Sequence, residues 1–380
     1  MRTIHEGKLP IKLWAAEIEA EALQQAINLA NLPFAYMHIA IMPDVHKGFG
    51  MPIGGVFAAE EALVPNAVGV DIGCGVVALQ TDSREITAGQ IKSVLQAAGE
   101  AIPVGFKHNS KPQPWDGFSG APDIAIIRQE LNSARKQISS LGSGNHFASI
   151  EQGDDGRVWL MVHSGSRNLG LKVASYYNSL ARQLNHSLKI VPPEYDLAAL
   201  PLELPPGREY WAAMNFCLEF ARENRRLIIE KLYHLFCKVT GSKNRGCLID
   251  IHHNYAALEE HFGKKVYVHR KGATRAEAKQ QGIIPGSMGT NSYITEGLGN
   301  PASFRSCSHG AGRIMSRTAA NKLIDPEAAN RSMQGIVFNG FKGDLSEAPP
   351  AYKNIEQVME HQKDLVSPAV KLKPLGVLKG

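Results

Sequence analysis

A thiol, several imidazoles and a set of carboxylates recur in this sequence beside glycine, serine and asparagine, in contexts that suit turns better than helix faces. Val70-Asp71-Ile72-Gly73-Cys74-Gly75 places a carboxylate and a thiol with two residues between them in a glycine-rich turn, so both can face one ion. Gly142-Ser143-Gly144-Asn145-His146-Phe147, Val162-His163-Ser164-Gly165-Ser166-Arg167 and Asp250-Ile251-His252-His253-Asn254 add imidazoles. Neighbouring residues of an extended segment point to opposite sides, so at most one of His252 and His253 serves a given metal. Asp71, Cys74, His146, His163 and one of that pair supply N, O and S ligands for one or two metals. A thiolate with imidazoles suits Zn or Mn better than Ca or Mg. Each residue alone has a plainer reading, since a cysteine in an apolar stretch is as a rule core.

A further cluster, Ser306-Cys307-Ser308-His309-Gly310-Ala311-Gly312-Arg313, sets a histidine in a turn of small residues that can approach a phosphate, with an arginine to hold its charge. Upstream, Ile284-Pro285-Gly286-Ser287-Met288-Gly289-Thr290 is a second small, hydroxylic turn that offers backbone N–H groups to phosphate or ribose. Neither matches a Walker loop or a dinucleotide-binding fingerprint, and each in isolation reads as a structural turn.

Elements able to position these groups are visible as patterns. A helix ends before Pro33, and a strand over 38–42 delivers Pro43-Asp44-Val45-His46-Lys47-Gly48 into a loop. Residues 52–82 read as buried strand, turn and strand. Segment 107–122 is crowded with Pro, Gly, Ser and Asn, as in a surface loop. Strands over 157–163 and 265–269 hand Ser164–Arg167 and Arg270–Gly272 to loops. Apolar residues at three- and four-residue spacing between Pro206 and Gly241 predict a long helix with Gly241 as its C-cap, and Arg222, Arg225, Arg226 and Lys231 read as its solvated face.

Composition bounds the class. The 380 residues are 44% hydrophobic and 20% charged, the balance of a folded globular chain. Lys and Arg outnumber Asp and Glu by 41 to 36, which neither demands nor excludes a nucleic acid. No apolar run reaches membrane-spanning length and the N-terminus has no signal-peptide core, so no membrane partner is expected. Five cysteines without framework spacing indicate free thiols in a reducing, cytoplasmic compartment. There is no internal repeat and no linker that splits the polar clusters, which favours one domain over 1–380.

In order along the chain, MPDVH, VGVDIGCG, GSGNHF, VHSGSR, HHNY, RKGA, IIPGSMG and SCSHGAGR resemble the RtcB family of RNA-splicing ligases, from about Lys12 to Lys379. The resemblance implies a single large α/β domain of the RtcB-like type, with the active site built from strand-end loops around a dinuclear metal centre. It implies a reaction joining RNA ends bearing a 3′-phosphate or 2′,3′-cyclic phosphate to 5′-hydroxyl ends, with GTP and two Mn(II) ions. Asp71, Cys74 and His146 would hold one manganese and Cys74, His163 and His253 the other, the thiolate bridging. His309 would be the nucleophile that takes GMP from GTP. Asp44 would assist proton transfer or arrange the RNA end, and Arg167 would contact RNA or the transferring phosphate. The guanylate would be surrounded by Asn145, His146, Phe147, Ser149, Asn254, Pro285, Gly286, Ser287, Met288, Ser292, Gly310, Ala311, Gly312, Tyr352 and Lys379, with an activating protein as a further partner.

Two departures from the family pattern stand out. Ser149 occupies the place where the family carries a guanine-reading Glu, with Glu151 two residues later as a substitute, and Asn168 follows Arg167 where Gly is usual. Two other readings of the residues stay open: a dinuclear metal-dependent phosphoesterase or nuclease, which leaves His309 unemployed, and a non-catalytic RNA-binding relative, which would have no need of the full ligand set.

Overall fold

Alternating and continuous apolar runs build two large sheets, and the chain crosses between them at the residues singled out above. The computed structural model describes residues 1–380. A six-stranded sheet takes the strands in the order Arg2–Ile4, Ile11–Leu13, Ala35–His46, Ile53–Ala59, Lys264–Lys271 and Asn254–His261. A seven-stranded sheet runs Arg245–His252, Gly75–Thr81, Val158–Ser164, Phe147–Gly153, Val366–Lys379, Ser292–Gly297 and Gln281–Ile284. All neighbours in the second sheet are antiparallel.

His253 is the single residue between Arg245–His252 of the seven-stranded sheet and Asn254–His261 of the six-stranded one. The Asp71–Cys74 turn likewise lies between strand Ile53–Ala59 of one sheet and Gly75–Thr81 of the other. Sheet changes concentrate polar backbone that no ladder satisfies, and this is where side chains can converge from both layers.

The long helix spans Pro205–Thr240, and Gly241 closes it in the left-handed conformation, its N–H donating to Cys237 O. Cys217, Phe220, Ala221, Ile228 and Leu232 bury one face against the sheets. Arg225 falls on that same face and is 0% exposed, whereas Arg222 and Arg226 are exposed as expected of a solvated side. The expectation for Arg225 is therefore corrected: the guanidinium is tolerated inside because Asp250 Oδ1 accepts from its Nε at 2.7 Å, and Gly73 O and Ser164 O accept from its Nη1.

Two strand boundaries also differ from the sequence reading. The strand starting at Ala35 continues through Pro43 to His46 instead of ending in a loop at Met42. Its pairing with Ile53–Ala59 is interrupted between Ile41 and His46, which accommodates the proline, and Lys353 Nζ donates to the unpaired Pro43 O. Arg270 and Lys271 belong to strand Lys264–Lys271, not to a loop. Glu259 accepts from Arg270 in a bidentate pair, and Lys271 Nζ donates to Phe49 O and Asn66 O, so both charges find partners inside. The segment 107–122 is irregular apart from one short 3-10 turn, Asp116–Gly120, and is anchored by Trp115 on Phe118, Phe216 and Phe220.

Candidate active site

Neighbouring strands of the seven-stranded sheet end in register and bring four of the expected metal-binding groups together. Val76 and Phe147 both stand opposite His163, and Gly75 pairs with His252, so the residues flanking these pairs, Cys74, His146 and His253, come to the same edge. Two overlapping triads result, Asp71–Cys74–His146 and Cys74–His163–His253, each with its ligand atoms within 4.8 Å of one another and with Cys74 shared. Cys74 Sγ stands 3.4 Å from His146 Nε2 and 3.2 Å from His163 Nε2, which in turn is 3.4 Å from His253 Nε2.

The surroundings set the His163 imidazole up as a ligand: its Nδ1 donates to Asn145 O at 3.0 Å, so its lone pair sits on the Nε2 that faces the thiol. His146 Nδ1 lies 3.0 Å from both Leu141 O and Arg167 Nη1, and its Nε2 lies 3.1 Å from Asp71 Oδ2 as well as facing the thiol. Burial lowers the His163 ring to about 3 and the His253 ring well below its ordinary value, so both stay neutral, the form a metal needs. Burial would raise the Asp71 carboxyl, but the hydrogen bond and charge of His146 and the charge of Arg167 hold it at about 2. Burial and the neighbouring Asp71 push the Cys74 thiol well up. A carboxylate, three imidazoles and a shared sulfur converge here, and this donor set fits one or two borderline divalent ions. His252 points elsewhere: its Nδ1 lies 3.0 Å from Gly73 O and 3.2 Å from Arg225 Nη2, as alternation along a strand requires.

His309 follows the short strand Ser306–Ser308, and its ring centroid is 4.9 Å from that of His253. Asp44 Oδ2 accepts from His309 Nδ1 at 2.6 Å and from the His309 backbone N–H at 3.1 Å. Asp44 is 0% exposed; burial would raise its carboxyl, yet the His309 charge and hydrogen bond hold it below the usual carboxylate range. Nδ1 is thereby committed to Asp44, and Nε2 is the ring nitrogen left for the cleft. Gly312 has φ +74°, and a Cβ there would meet Asp44 O at 2.2 Å, so the small residue lets this turn close onto the carboxylate's backbone.

A single cleft joins His309 to the triads. Asn145, His146, Phe147 and Ser149 form one wall; Pro285, Gly286, Ser287, Met288 and Ser292 another; Gly310, Ala311, Gly312, Tyr352 and Lys379 complete it. Lys379 is not frayed, for it ends a long strand paired to Phe147, and Gly380 N–H donates to His146 O. Three expected residues sit differently. Asn254 is outside the cleft wall, its amide donating to Asp71 O and accepting from Gly272 N, so it braces the metal-ligand turn. Asp44 has no exposed surface with which to touch an RNA end, so its contact is with His309. Arg167 is also outside the wall, with Nη1 3.0 Å from His146 Nδ1. Asn168 is tied to Gln137 and Glu130.

Sequence reasoning missed three contributors. Arg225, with Asp250, underpins the backbone of Gly73 and Ser164, and its place in the apolar stripe beside Ala221 and Ile228 was the available signal. Glu347, buried in the cleft wall, accepts from Arg313 and Tyr352 and from Arg317 Nε at 2.6 Å. An acid in the turn Ser346-Glu347-Ala348-Pro349 carries no sequence signal of that role. Arg317 likewise begins a short helix, Arg317–Leu323, that looks generic.

Two overlapping triads able to hold metal and a carboxylate-held imidazole share one cleft, which makes this a candidate metal-dependent active site. Residues 25–119 and 116–380 match the family described as "tRNA-splicing ligase RtcB". The "RNA-splicing ligase RtcB" of Escherichia coli K12 is 37% identical over 401 residues, covering 98% of this chain and 97% of that protein. The Mycobacterium tuberculosis protein of the same description is 33% identical over 94% of this chain and 100% of the relative, and the "tRNA-splicing ligase RtcB" of Pyrobaculum aerophilum is 32% identical over 98% and 95%. The chain belongs to the RtcB family of RNA-splicing ligases. No helix is long and apolar enough to cross a membrane.

Proposed function

We propose that this RNA ligase joins an RNA end carrying a 3′-phosphate or 2′,3′-cyclic phosphate to a 5′-hydroxyl end, using GTP and two Mn(II) ions. The observation that carries the reading is His309 itself: an imidazole held through Nδ1 by a buried carboxylate, with Nε2 free, beside the second thiol–imidazole triad. A dinuclear hydrolase that activates water on its metals leaves His309 without a task, and a non-catalytic relative has no need of the full ligand set.

In this reading the cleft binds GTP; in the turns at 285–288 and 310–312 the Gly286, Ser287 and Ala311 N–H groups donate to Ser292 Oγ, Thr290 Oγ1 and Pro285 O, which leaves those of Met288, Gly310 and Gly312 for the ligand. His309 Nε2 attacks the α-phosphorus, a P–N bond forms, and the bond to the pyrophosphate leaving group breaks. Asp44 keeps the Nδ1 proton and offsets the positive charge that develops on the ring. A 2′,3′-cyclic end is first opened by water, which breaks the P–O2′ bond and leaves a 3′-phosphate and a 2′-hydroxyl; an oxygen of the 3′-phosphate then displaces His309, leaving a phosphoanhydride-linked guanylate on the RNA. The 5′-hydroxyl then attacks the 3′-phosphorus, GMP departs and the phosphodiester closes. Asp71, Cys74 and His146 would hold one ion and Cys74, His163 and His253 the other, and when bound these supply neutralisation of phosphate charge. Arg313 and Arg317, aligned by Glu347, offer charge to the phosphates at the other wall. The physiological RNA and an activating protein are further elements of this reading.

Incubation with α-labelled GTP and Mn(II) tests it. The chain is expected to become labelled through an acid-labile, alkali-stable bond that His309→Ala abolishes, and RNA with a 3′-phosphate is expected to discharge the label. RNA cleavage by wild-type protein without any adduct would install the hydrolase reading instead.

A further inference from the structure

The proton transfer expected of Asp44 falls vacant, because that carboxylate is enclosed and hydrogen-bonded to His309. Two residues on, at the end of the same strand, His46 lines the cleft together with His309 and Gly310. Its Nδ1 stands 3.0 Å from Asp44 O. A backbone carbonyl can only accept, so Nδ1 carries the ring proton and Nε2 the lone pair. No hydrogen bond engages Nε2, which leaves it as the ring atom open to the cleft. Burial, His309 and Lys353 lower the ring to about 4 against the pull of Asp44, so it is neutral near pH 7. Phosphate anions in the cleft act in the opposite sense and make the protonated form accessible.

The reaction divides by what attacks. His309 Nε2 attacks with a lone pair and the RNA 3′-phosphate with an anionic oxygen, and neither has a proton to lose. The water that opens a cyclic end and the 5′-hydroxyl that closes the joint both do.

We propose that His46 is the general base for these two hydroxylic nucleophiles. In opening, the water oxygen bonds to phosphorus and its proton passes to His46 Nε2. The P–O2′ bond breaks with its electron pair on O2′, and the imidazolium returns the proton there. In sealing, O5′ bonds to the 3′-phosphorus, the bond to the anhydride oxygen breaks with its pair leaving on GMP, and the 5′-hydroxyl proton passes to Nε2 and on to solvent. The proposal rests on the ligase reading of the cleft.

The test takes the steps apart in the full chain with Mn(II): adduct formation from α-labelled GTP, discharge to an RNA 3′-phosphate, opening of a 2′,3′-cyclic end, and sealing of purified guanylate-capped RNA to a 5′-hydroxyl strand. His46→Asn keeps an amide donor for Asp44 O and lacks Nε2. Its adduct formation and discharge are expected to stay near wild type, while opening and sealing fall about a hundredfold or more, the low end of what a positioned base contributes. Added imidazole is expected to restore those two steps in His46→Ala, which a purely structural role would not allow; His46→Asn keeps the test valid should His46→Ala fail to fold. Equal losses in every step, or opening and sealing at full rate in His46→Asn, would overturn the proposal and leave the ligase reading standing. No adduct on the wild-type chain with any nucleoside triphosphate would sink the ligase reading itself.

Discussion

The metal-ligand edge and the opposite wall of the cleft are built on different principles. Cys74, His146, His163 and His253 lie at or beside the ends of neighbouring strands in one sheet, where a continuous backbone ladder sets their separation. The wall made by residues 285–292, 309–313 and 346–352 is mostly turn. It is held by side-chain bonds such as Ser287 N–H to Thr290 Oγ1 at 2.8 Å and by the arginines and tyrosine gathered on Glu347. A ladder places ligand atoms with the accuracy that an ion's short bonds require. Turns held by individual side chains give a surface shaped for a larger, charged guest, and each contact can be altered without moving the sheet.

The largest effect that would break this contrast is expected at the one atom both triads share. Cys74→Ser should lower manganese occupancy at both positions together, measured by metal analysis of the purified protein, and cut ligation more than about a hundredfold, since loss of even an outer partner costs 10–100-fold. Loss of one ion with the other retained at full occupancy would show that the sulfur does not bridge.

Arg225→Met comes next and probes what the ladder rests on. The change strands Asp250 beside the sheet and removes the donors to Gly73 O and Ser164 O. Breaking a buried ion pair from one side costs about 3–5 kcal/mol, and thermal or urea unfolding should report a loss of that order together with weaker metal binding. An equally stable variant with unchanged metal affinity would mean that the ladder alone positions the ligands.

The same contrast explains what was legible in the sequence. Metal chemistry demands particular residue types, so Asp71, Cys74, His146, His163 and His253 announce themselves, and strand alternation alone tells that His252 and His253 diverge. The long helix is visible from its periodicity and its glycine stop. Glycine and serine turns are generic, so the composition of 285–290 and 309–313 gives no hint that Glu347, far along the chain, gathers Arg313 and Arg317. Arg225 escapes because charge usually marks a solvated face, and only the satisfied carbonyls and Asp250 make its burial tolerable. The run through Pro43 into His46 escapes because proline in a strand is decided by the interruption of pairing around it, a tertiary fact.

The smallest expected effect sharpens the account of the cleft wall. Glu151 has an ordinary value near 4.5, and burial, its leading cause, raises it to about 7 in the folded chain. Between those values the folded state keeps a proton that the unfolded state has released. Stability must therefore fall as pH rises from about 4.5 to about 7 and then level off, by an amount on the order of 3 kcal/mol at most. Glu151→Gln has no proton to lose and should abolish that fall. Because every other titrating group is common to both proteins, the informative quantity is the difference in unfolding free energy between variant and wild type, measured in urea at pH 5 and pH 8. It should shift in favour of the variant as pH rises. A difference that stays flat across the window would mean that the carboxyl is solvated and titrates normally, and the cleft wall around Ser149 would then be wetter.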